Sequence, residues 1–151
     1  MSQDVITVKV TSGSNGYLRI RSREAATAVG RAPDGQNAQD AFRAGELVLG
    51  ALAACTAGTI RQYAKTHGID ALEDVSVDVT GYESSAPSRI AAIVLRVTLH
   101  GGISASERTR LERVARHCKI HNTLLQAPEV ELAFDYRATA AAVLVEQELN
   151  T

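Results

Sequence analysis

Apolar and small side chains fill every position from Leu47 to Ile60, and no proline interrupts them. This pattern is typical of a helix that is buried on nearly all sides. After Ile60 polar side chains enter one face, and Gly68 is a typical left-handed helix end. The sequence therefore predicts a central helix over residues 44–68, with Cys55 inside a core.

The residues ahead of this helix predict short strands. Apolar and polar side chains alternate over residues 5–11 and again over 17–22, and turn-forming residues at 12–16 separate the two stretches. This is the pattern of an antiparallel hairpin. Residues 24–29 predict a weaker third strand, and small polar residues predict a loop over 30–40.

Two longer alternating stretches follow the central helix, at residues 72–81 and 89–100, with a polar loop predicted at 83–88. Strands that alternate in this way form an antiparallel pair with one buried face. The central helix is the expected cover for that face, because its own apolar surface needs a partner.

A second helix is predicted after Gly102. Ser104 and Glu107 have the spacing of a capping box, and apolar residues then recur at helical spacing as far as Cys118. Cys118 is therefore expected on the buried face of this helix, near its end. A bend at 119–122, a helical piece at 123–126 and a last strand at 129–136 complete the prediction.

The element order indicates an α+β fold, with helices on one side of antiparallel sheet. The length of 151 residues favours a single domain over 1–151. Its expected parts are N-terminal strands and loop at 1–40, the central helix at 44–68, strands and a second helix at 72–136, and an unassigned tail at 137–151.

Composition restricts the possible partners. The net charge is −1, and basic and acidic residues are spread along the chain, so a nucleic-acid partner is not expected. The central helix is rich in Ala, Gly and Thr and has charged residues at its ends, which disfavours a membrane span. The first ten residues lack the pattern of a secretory signal, so a cytoplasmic location is expected.

The two cysteines leave several alternatives open. Neither Cys55 nor Cys118 belongs to a CxxC pair, and the histidines have no metal-ligand spacing, so neither a disulfide scaffold, a metal site nor a cofactor is expected. Each cysteine is either a small core residue or a reactive thiol. Arg19 and Arg21 share one face of the second strand, which is either a solvated surface or a site for a carboxylate or a peroxide.

Three segments resemble the OsmC/Ohr family of osmotically inducible and organic hydroperoxide resistance proteins, and its OsmC-like branch in particular. They are GELVLGALAACTAGTIRQYAKTHGI, LEDVSVDVTG and VARHCKIHNTLL, and the resemblance extends over most of residues 16–134. The first and the third hold the two signatures, a buried helix with a cysteine and a second cysteine in a CxxHxTL-like segment. Together the signatures are specific for the family.

The resemblance implies an intertwined homodimer in which antiparallel sheets wrap two central helices, with active sites at the subunit interface. It also implies a thiol-dependent peroxidase that reduces organic hydroperoxides. Cys55 would attack the peroxide, Cys118 would resolve the sulfenic acid as a disulfide, and an external dithiol would reduce that disulfide. The alternatives are an OsmC-like ligand-binding or redox-sensing protein and a purely structural dimer.

The chain departs from the peroxidase branch at two positions. Ser14 stands where that branch has an arginine, so Arg19, Arg21 or Arg43 would have to replace it. Glu46 matches a family glutamate but lies nine residues before Cys55, which puts the two roughly opposite each other on an ideal helix. Glu46 is therefore either a site residue or a favourable charge at the start of the helix.

Overall fold

The computed structural model describes residues 5–12, 17–31, 34–35 and 40–137, and it confirms the α+β class. Within these residues the strands form two antiparallel sheets, β1-β2-β3 and β4-β5. The elements in chain order are β1 (Lys9–Ser12), β2 (Leu18–Ser22), β3 (Ala25–Val29), α1 (Ala44–Thr66), β4 (Leu72–Ser85), β5 (Ser88–Gly101), α2 (Ala105–Ala115) and α3 (Lys119–Leu125).

The N-terminal sheet confirms the predicted hairpin and third strand. β1 pairs with β2, with Lys9 opposite Arg21, and β2 pairs in turn with β3. β1 starts four residues later than the alternation predicts. Residues 13–16 of the predicted turn, and 32–33 and 36–39 of the predicted loop, lie outside the described residues. A parallel bridge between Val29 and Phe42 connects this sheet to the start of α1.

The predicted central helix is confirmed as α1, which ends two residues earlier than expected. The His67 backbone N–H donates to the Tyr63 carbonyl (3.0 Å), and Gly68 follows at a φ of 64°. At the other end, the Glu46 carboxylate accepts the backbone N–H of Arg43 (2.8 Å). Such a bond satisfies an amide that the helix itself leaves free.

The prediction that this helix is buried on nearly all sides is wrong for the single chain. α1 buries one stripe with a spacing of four residues, Leu52, Thr56, Ile60 and Ala64. A second stripe of small residues is exposed: Gly50, Ala51, Ala54 and Gly58. The reason is that the β4-β5 sheet, α2 and α3 cover only one side of the helix within the chain.

The β4-β5 hairpin confirms the predicted strand pair and is longer than expected. The predicted loop at 83–88 belongs largely to the strands, because Glu83 pairs with Ile90 and Ser85 with Ser88, and only Ala86 and Pro87 turn the chain. Half-buried valines and leucines of the hairpin pack on a buried cluster formed by α1, α2 and the segment between α1 and β4: Ile60, Ala64, Ile69 and Leu111.

The second helix has the predicted capping box but ends before Cys118. Ser104 Oγ accepts the Glu107 backbone N–H (3.3 Å), and the Glu107 carboxylate accepts the Ser104 N–H (2.8 Å). α2 ends at Ala115, so the expected position of Cys118 on this helix is wrong. Cys118 is instead the residue that precedes α3, and the predicted bend at 119–122 is the first half of α3.

The predicted strand at 129–136 is not formed in the described chain. Val130, Leu132, Phe134 and Tyr136 are between 74% and 91% exposed. The alternating sequence is that of a strand, but no strand among the residues described in the structure hydrogen-bonds to it, and a strand is defined by such bonds. Residues 138–151 of the predicted tail lie outside the described part. No helix described in the structure is long and apolar enough to cross a membrane.

Candidate thiol site

The fold brings the two cysteines together. Cys55 lies in the middle of α1, and α3 packs against this helix, so that the Cys118 thiol lies close enough to Cys55 to lower its pKa. Cys118 Sγ is also 3.6 Å from the Oγ1 of Thr56, the residue next to Cys55. Both cysteines are free thiols. Cys118 is therefore placed beside Cys55 by the start of α3, and not by the longer α2 that the sequence predicts.

Cys118 lies on the core side of the pair. It is 1% exposed, and its sulfur accepts the backbone N–H of His121 (3.3 Å). The residue before a helix normally satisfies an amide of the first turn with a side-chain oxygen. In α3 the sulfur of Cys118 accepts this amide hydrogen in place of an oxygen. This hydrogen bond fixes the position of the thiol relative to the helix.

Cys55 lies on the open side of the pair. It is half-buried and lines a groove of about 520 Å³ along α1, whose walls are mainly apolar. Val114 of α2 forms part of one wall. At the far end the rings of Tyr63 and His67 stack with their centroids 3.8 Å apart. A small apolar molecule can therefore reach this sulfur along the helix, whereas Cys118 is closed off.

The surroundings of Cys55 favour its ionised form. Burial raises the pKa of the Cys55 thiol, but hydrogen bonding, chiefly from the backbone N–H of Ile120, the thiol of Cys118 and the N–H of Lys119, outweighs it. The net pKa is below the ordinary value. A low pKa increases the fraction of thiolate, which is the nucleophilic form of cysteine.

The arginines expected at the site have other positions in the single chain. Arg19 and Arg21 lie on β2, in the N-terminal sheet. The guanidinium of Arg43 is 3.1 Å from the Glu83 carboxylate. Across the described ranges, none of the groups that lower the Cys55 pKa is an arginine. Hydrogen-bond donors therefore stabilise the Cys55 thiolate in the single chain, where an arginine is expected from the sequence.

Glu46 is likewise not brought to the cysteines. Its carboxylate accepts the Arg43 N–H at the start of α1, and nine residues of helix put it about 13 Å along the axis from Cys55. It lines a separate hollow of about 400 Å³ with Leu49, Tyr82 and Ile90. The structure thus gives Glu46 the role of a helix-start charge in the single chain.

The backbone amides of Lys119 and Ile120, which lower the Cys55 pKa, are not indicated by the sequence, because cysteine is not a usual residue at a helix start. Thr59, four residues after Cys55, donates its hydroxyl hydrogen to the Cys55 carbonyl (2.8 Å) rather than to the sulfur. Among the residues described here, no group of three or more His, Cys, Asp or Glu side chains could hold a metal ion.

The fold and the site together define an α+β protein with two neighbouring free thiols, one accessible and one buried. The family model described as OsmC-like protein matches residues 35–133. The chain therefore belongs to the OsmC family, which confirms the resemblance found in the sequence. No curated protein sequence matches the chain significantly.

Solved structures give the same fold at low sequence identity. An OsmC-like protein from Mycoplasma pneumoniae is 20% identical, with a TM-score of 0.69 over 83% of this chain and 91% of that one. The organic hydroperoxide resistance protein OsmC from Legionella pneumophila is 23% identical, with a TM-score of 0.54 over 83% and 93%. OhrB of Bacillus subtilis, also an organic hydroperoxide resistance protein, is 16% identical, with a TM-score of 0.54 over 85% and 96%.

Proposed function

We propose that this protein is a thiol-dependent peroxidase that reduces organic hydroperoxides. The observation that carries the proposal is the pairing of an accessible thiol of lowered pKa, Cys55, with a neighbouring buried thiol, Cys118, that contributes to lowering this pKa. Membership in the OsmC family, and the hydroperoxide resistance proteins among its structural relatives, support a redox role in stress response.

The proposed reaction has two chemical steps. The Cys55 thiolate attacks the outer oxygen of the hydroperoxide, the O–O bond breaks, and the alkoxide leaves as the alcohol after taking up a proton. Cys55 is then a sulfenic acid. Cys118 attacks its sulfur, a disulfide forms and water leaves. An external dithiol restores both thiols by thiol–disulfide exchange, and its oxidation balances the reduction of the peroxide.

The groove beside Cys55 supports an organic substrate rather than hydrogen peroxide. Its walls are mainly apolar and include Gly58, Val114 and the ring of Tyr63. Transfer of an alkyl or aryl group from water to such a surface is favourable in proportion to the apolar area covered. Hydrogen peroxide has no such group and would gain nothing from the groove.

We further propose that the working form is a homodimer. The exposed small residues of α1 would let the backbone of a second α1 approach closely. The apolar side chains of residues 129–136 are exposed in the single chain, and an unpaired strand of this pattern is a template for another strand. A second copy of the chain would cover both surfaces.

The dimer would also provide a place for the expected arginines. Because the N-terminal sheet joins the rest of the chain mainly through the Val29–Phe42 bridge, it is available to a second copy. We propose that Arg19 or Arg21 meets the peroxide at the thiol site across the subunit interface. Glu46, which matches a family glutamate, is proposed as a further site residue of the dimer.

The test is thiol titration before and after oxidation. Cumene hydroperoxide added to the reduced protein should remove two thiols per chain and give a Cys55–Cys118 disulfide, and an equal concentration of hydrogen peroxide should act more slowly. Cys55→Ser should not react. Unchanged thiols in the wild-type protein after cumene hydroperoxide would contradict the proposal.

That outcome would favour the alternative, a ligand-binding or redox-sensing protein of the same fold. The observation on its side is that, of the described arginines, none contributes to the ionisation of Cys55 in the single chain. Such a protein would bind an apolar molecule in the groove and show no turnover with a dithiol reductant.

A further inference from the structure

A polar side chain is buried in the stripe through which α1 meets the core. Thr56 is 3% exposed and lies between Leu52 and Ile60 on that stripe. Its hydroxyl donates to the Leu52 carbonyl (2.9 Å). The single hydroxyl hydrogen is therefore in use, and the oxygen keeps a free lone pair.

That lone pair faces the second thiol. Thr56 Oγ1 is 3.6 Å from Cys118 Sγ, within the range for a hydrogen bond that involves sulfur. With the hydroxyl hydrogen donated to the Leu52 carbonyl, the Thr56 oxygen is available to accept the hydrogen of the Cys118 thiol. The backbone N–H of His121 approaches the same sulfur at 3.3 Å. Two contacts thus hold this sulfur in place.

The hydrogen of Cys118 has two acceptors in turn. While Cys55 is a thiolate, its negative sulfur attracts that hydrogen, because an ionised acceptor makes the stronger hydrogen bond. Once Cys55 is a neutral sulfenic acid this attraction is lost, and the Thr56 oxygen is left as the better acceptor. The thiol hydrogen then points away from Cys55, and a sulfur lone pair faces it.

We propose that Thr56 is a positioning residue for the resolving step, orienting the Cys118 thiol for attack on oxidised Cys55. The proposal rests on the peroxidase function proposed above. In the step the Cys118 thiol gives up its proton, its sulfur forms the S–S bond, the S–O bond of the sulfenic acid breaks, and the hydroxide leaves as water after taking up one proton from the open groove side, so that no net proton is gained or lost. Thr56 itself is unchanged by the reaction.

The test compares Thr56→Val, which removes the hydroxyl at similar shape, with Thr56→Ser, which keeps it. Stopped-flow mixing with cumene hydroperoxide gives the rates of sulfenic acid and of disulfide formation. In Thr56→Val the ratio of the second rate to the first should fall about tenfold, the effect of losing one hydrogen bond. Thr56→Ser should restore the wild-type ratio.

Thr109→Val is the matched control. The Thr109 hydroxyl makes the same kind of bond, to the carbonyl four residues earlier in α2 (3.1 Å), but it is exposed and has no cysteine beside it. Its ratio of rates should equal that of the wild type. Equal ratios in Thr56→Val and wild type, or a serine variant as slow as the valine variant, would overturn the role of Thr56.

A second oxidant separates this proposal from the peroxidase function. Diamide adds to the Cys55 thiolate, and Cys118 then displaces the reduced hydrazine, so the disulfide closes without a peroxide. If cumene hydroperoxide does not oxidise the wild-type thiols, the peroxidase function is wrong. If disulfide closure after diamide addition is nevertheless about tenfold slower in Thr56→Val alone, the role of Thr56 stands. Equal closure in both Thr56 variants, or no disulfide in the wild type, would refute it.

Discussion

Cys55 and Cys118 are neighbours with opposite surroundings. Cys55 opens onto an apolar groove and has its pKa lowered by the backbone amides of Lys119 and Ile120, whereas Cys118 is 1% exposed and lies against the core. An attacking thiol needs access and ionisation, and a resolving thiol needs protection and a short path to the first. The contrast indicates that position in the fold, not residue type, divides the two proposed roles.

The largest expected effect comes from exchanging each sulfur for oxygen. Cys55→Ser should reduce the consumption of cumene hydroperoxide to the rate without protein, because the hydroxyl is not ionised at neutral pH. Cys118→Ser should still react once and then accumulate a sulfenic acid on Cys55, which mass spectrometry of the trapped adduct would detect. Equal loss in both variants would remove the distinction between the two sulfurs.

The next effect concerns the core beside Cys118. Leu111 is fully buried, so Leu111→Ala should lower the free energy of unfolding by about 2–5 kcal/mol. Leu125 on α3 is 73% exposed, and Leu125→Ala should change it by less than about 0.5 kcal/mol. Urea unfolding followed by circular dichroism gives both values. A similar cost at the two positions would contradict the observed core.

Variants of Arg19 and Arg21 test whether the reaction of Cys55 with peroxide needs a cation from the second subunit. Arg19→Ala or Arg21→Ala should slow the reaction of Cys55 with cumene hydroperoxide about tenfold, because a charge-assisted hydrogen bond to the peroxide is lost. Arg96, exposed on β5 opposite Asp78, is the control position, where Arg96→Ala should have no effect. If neither β2 variant slows the reaction, the proposed arginine contribution is wrong.

Glu46→Gln separates the two roles of that residue. Loss of the charge at the start of α1 should lower the free energy of unfolding by about 0.5–1 kcal/mol. A site role should in addition slow the reaction with peroxide when the protein is fully folded. A stability change with an unaltered rate would leave Glu46 as a helix-start residue alone.

The smallest effect is the pH dependence of Cys55. Its pKa is lowered, so as the pH falls its thiolate persists to a lower pH than that of an ordinary thiol. Iodoacetamide labelling of Cys55, measured by peptide mass spectrometry against pH, should therefore reach half its maximal rate below the midpoint of free cysteine. A wild-type midpoint at or above that of free cysteine would contradict the lowered pKa of Cys55.

The sequence predicted those elements whose pattern is local. The periodicity of α1 and of the β4-β5 pair, and the Ser104–Glu107 capping box, each follow from residues close together in the chain. The nearness of the two cysteines came only from the family resemblance. Local pattern cannot give it, because it depends on how α3 packs against α1.

The predictions that were wrong also depended on contacts between residues that are distant in the sequence or on an unusual residue at a helix start. α3 was misplaced because a cysteine sulfur, rather than a hydroxyl or carboxylate, satisfies an amide of its first turn. The strand at 129–136 and the full burial of α1 were expected from side-chain pattern. Both need covering surfaces that the described residues of one chain do not supply.

The N-terminal sheet is joined to the start of α1 mainly by the Val29–Phe42 bridge, and this affects how the protein must be assayed. If a second copy covers that sheet, association and folding become one equilibrium, and the melting temperature should rise with protein concentration. Dilution would then dissociate the dimer and reduce activity without any chemical change to the protein. Specific activities are therefore comparable only between samples of equal protein concentration.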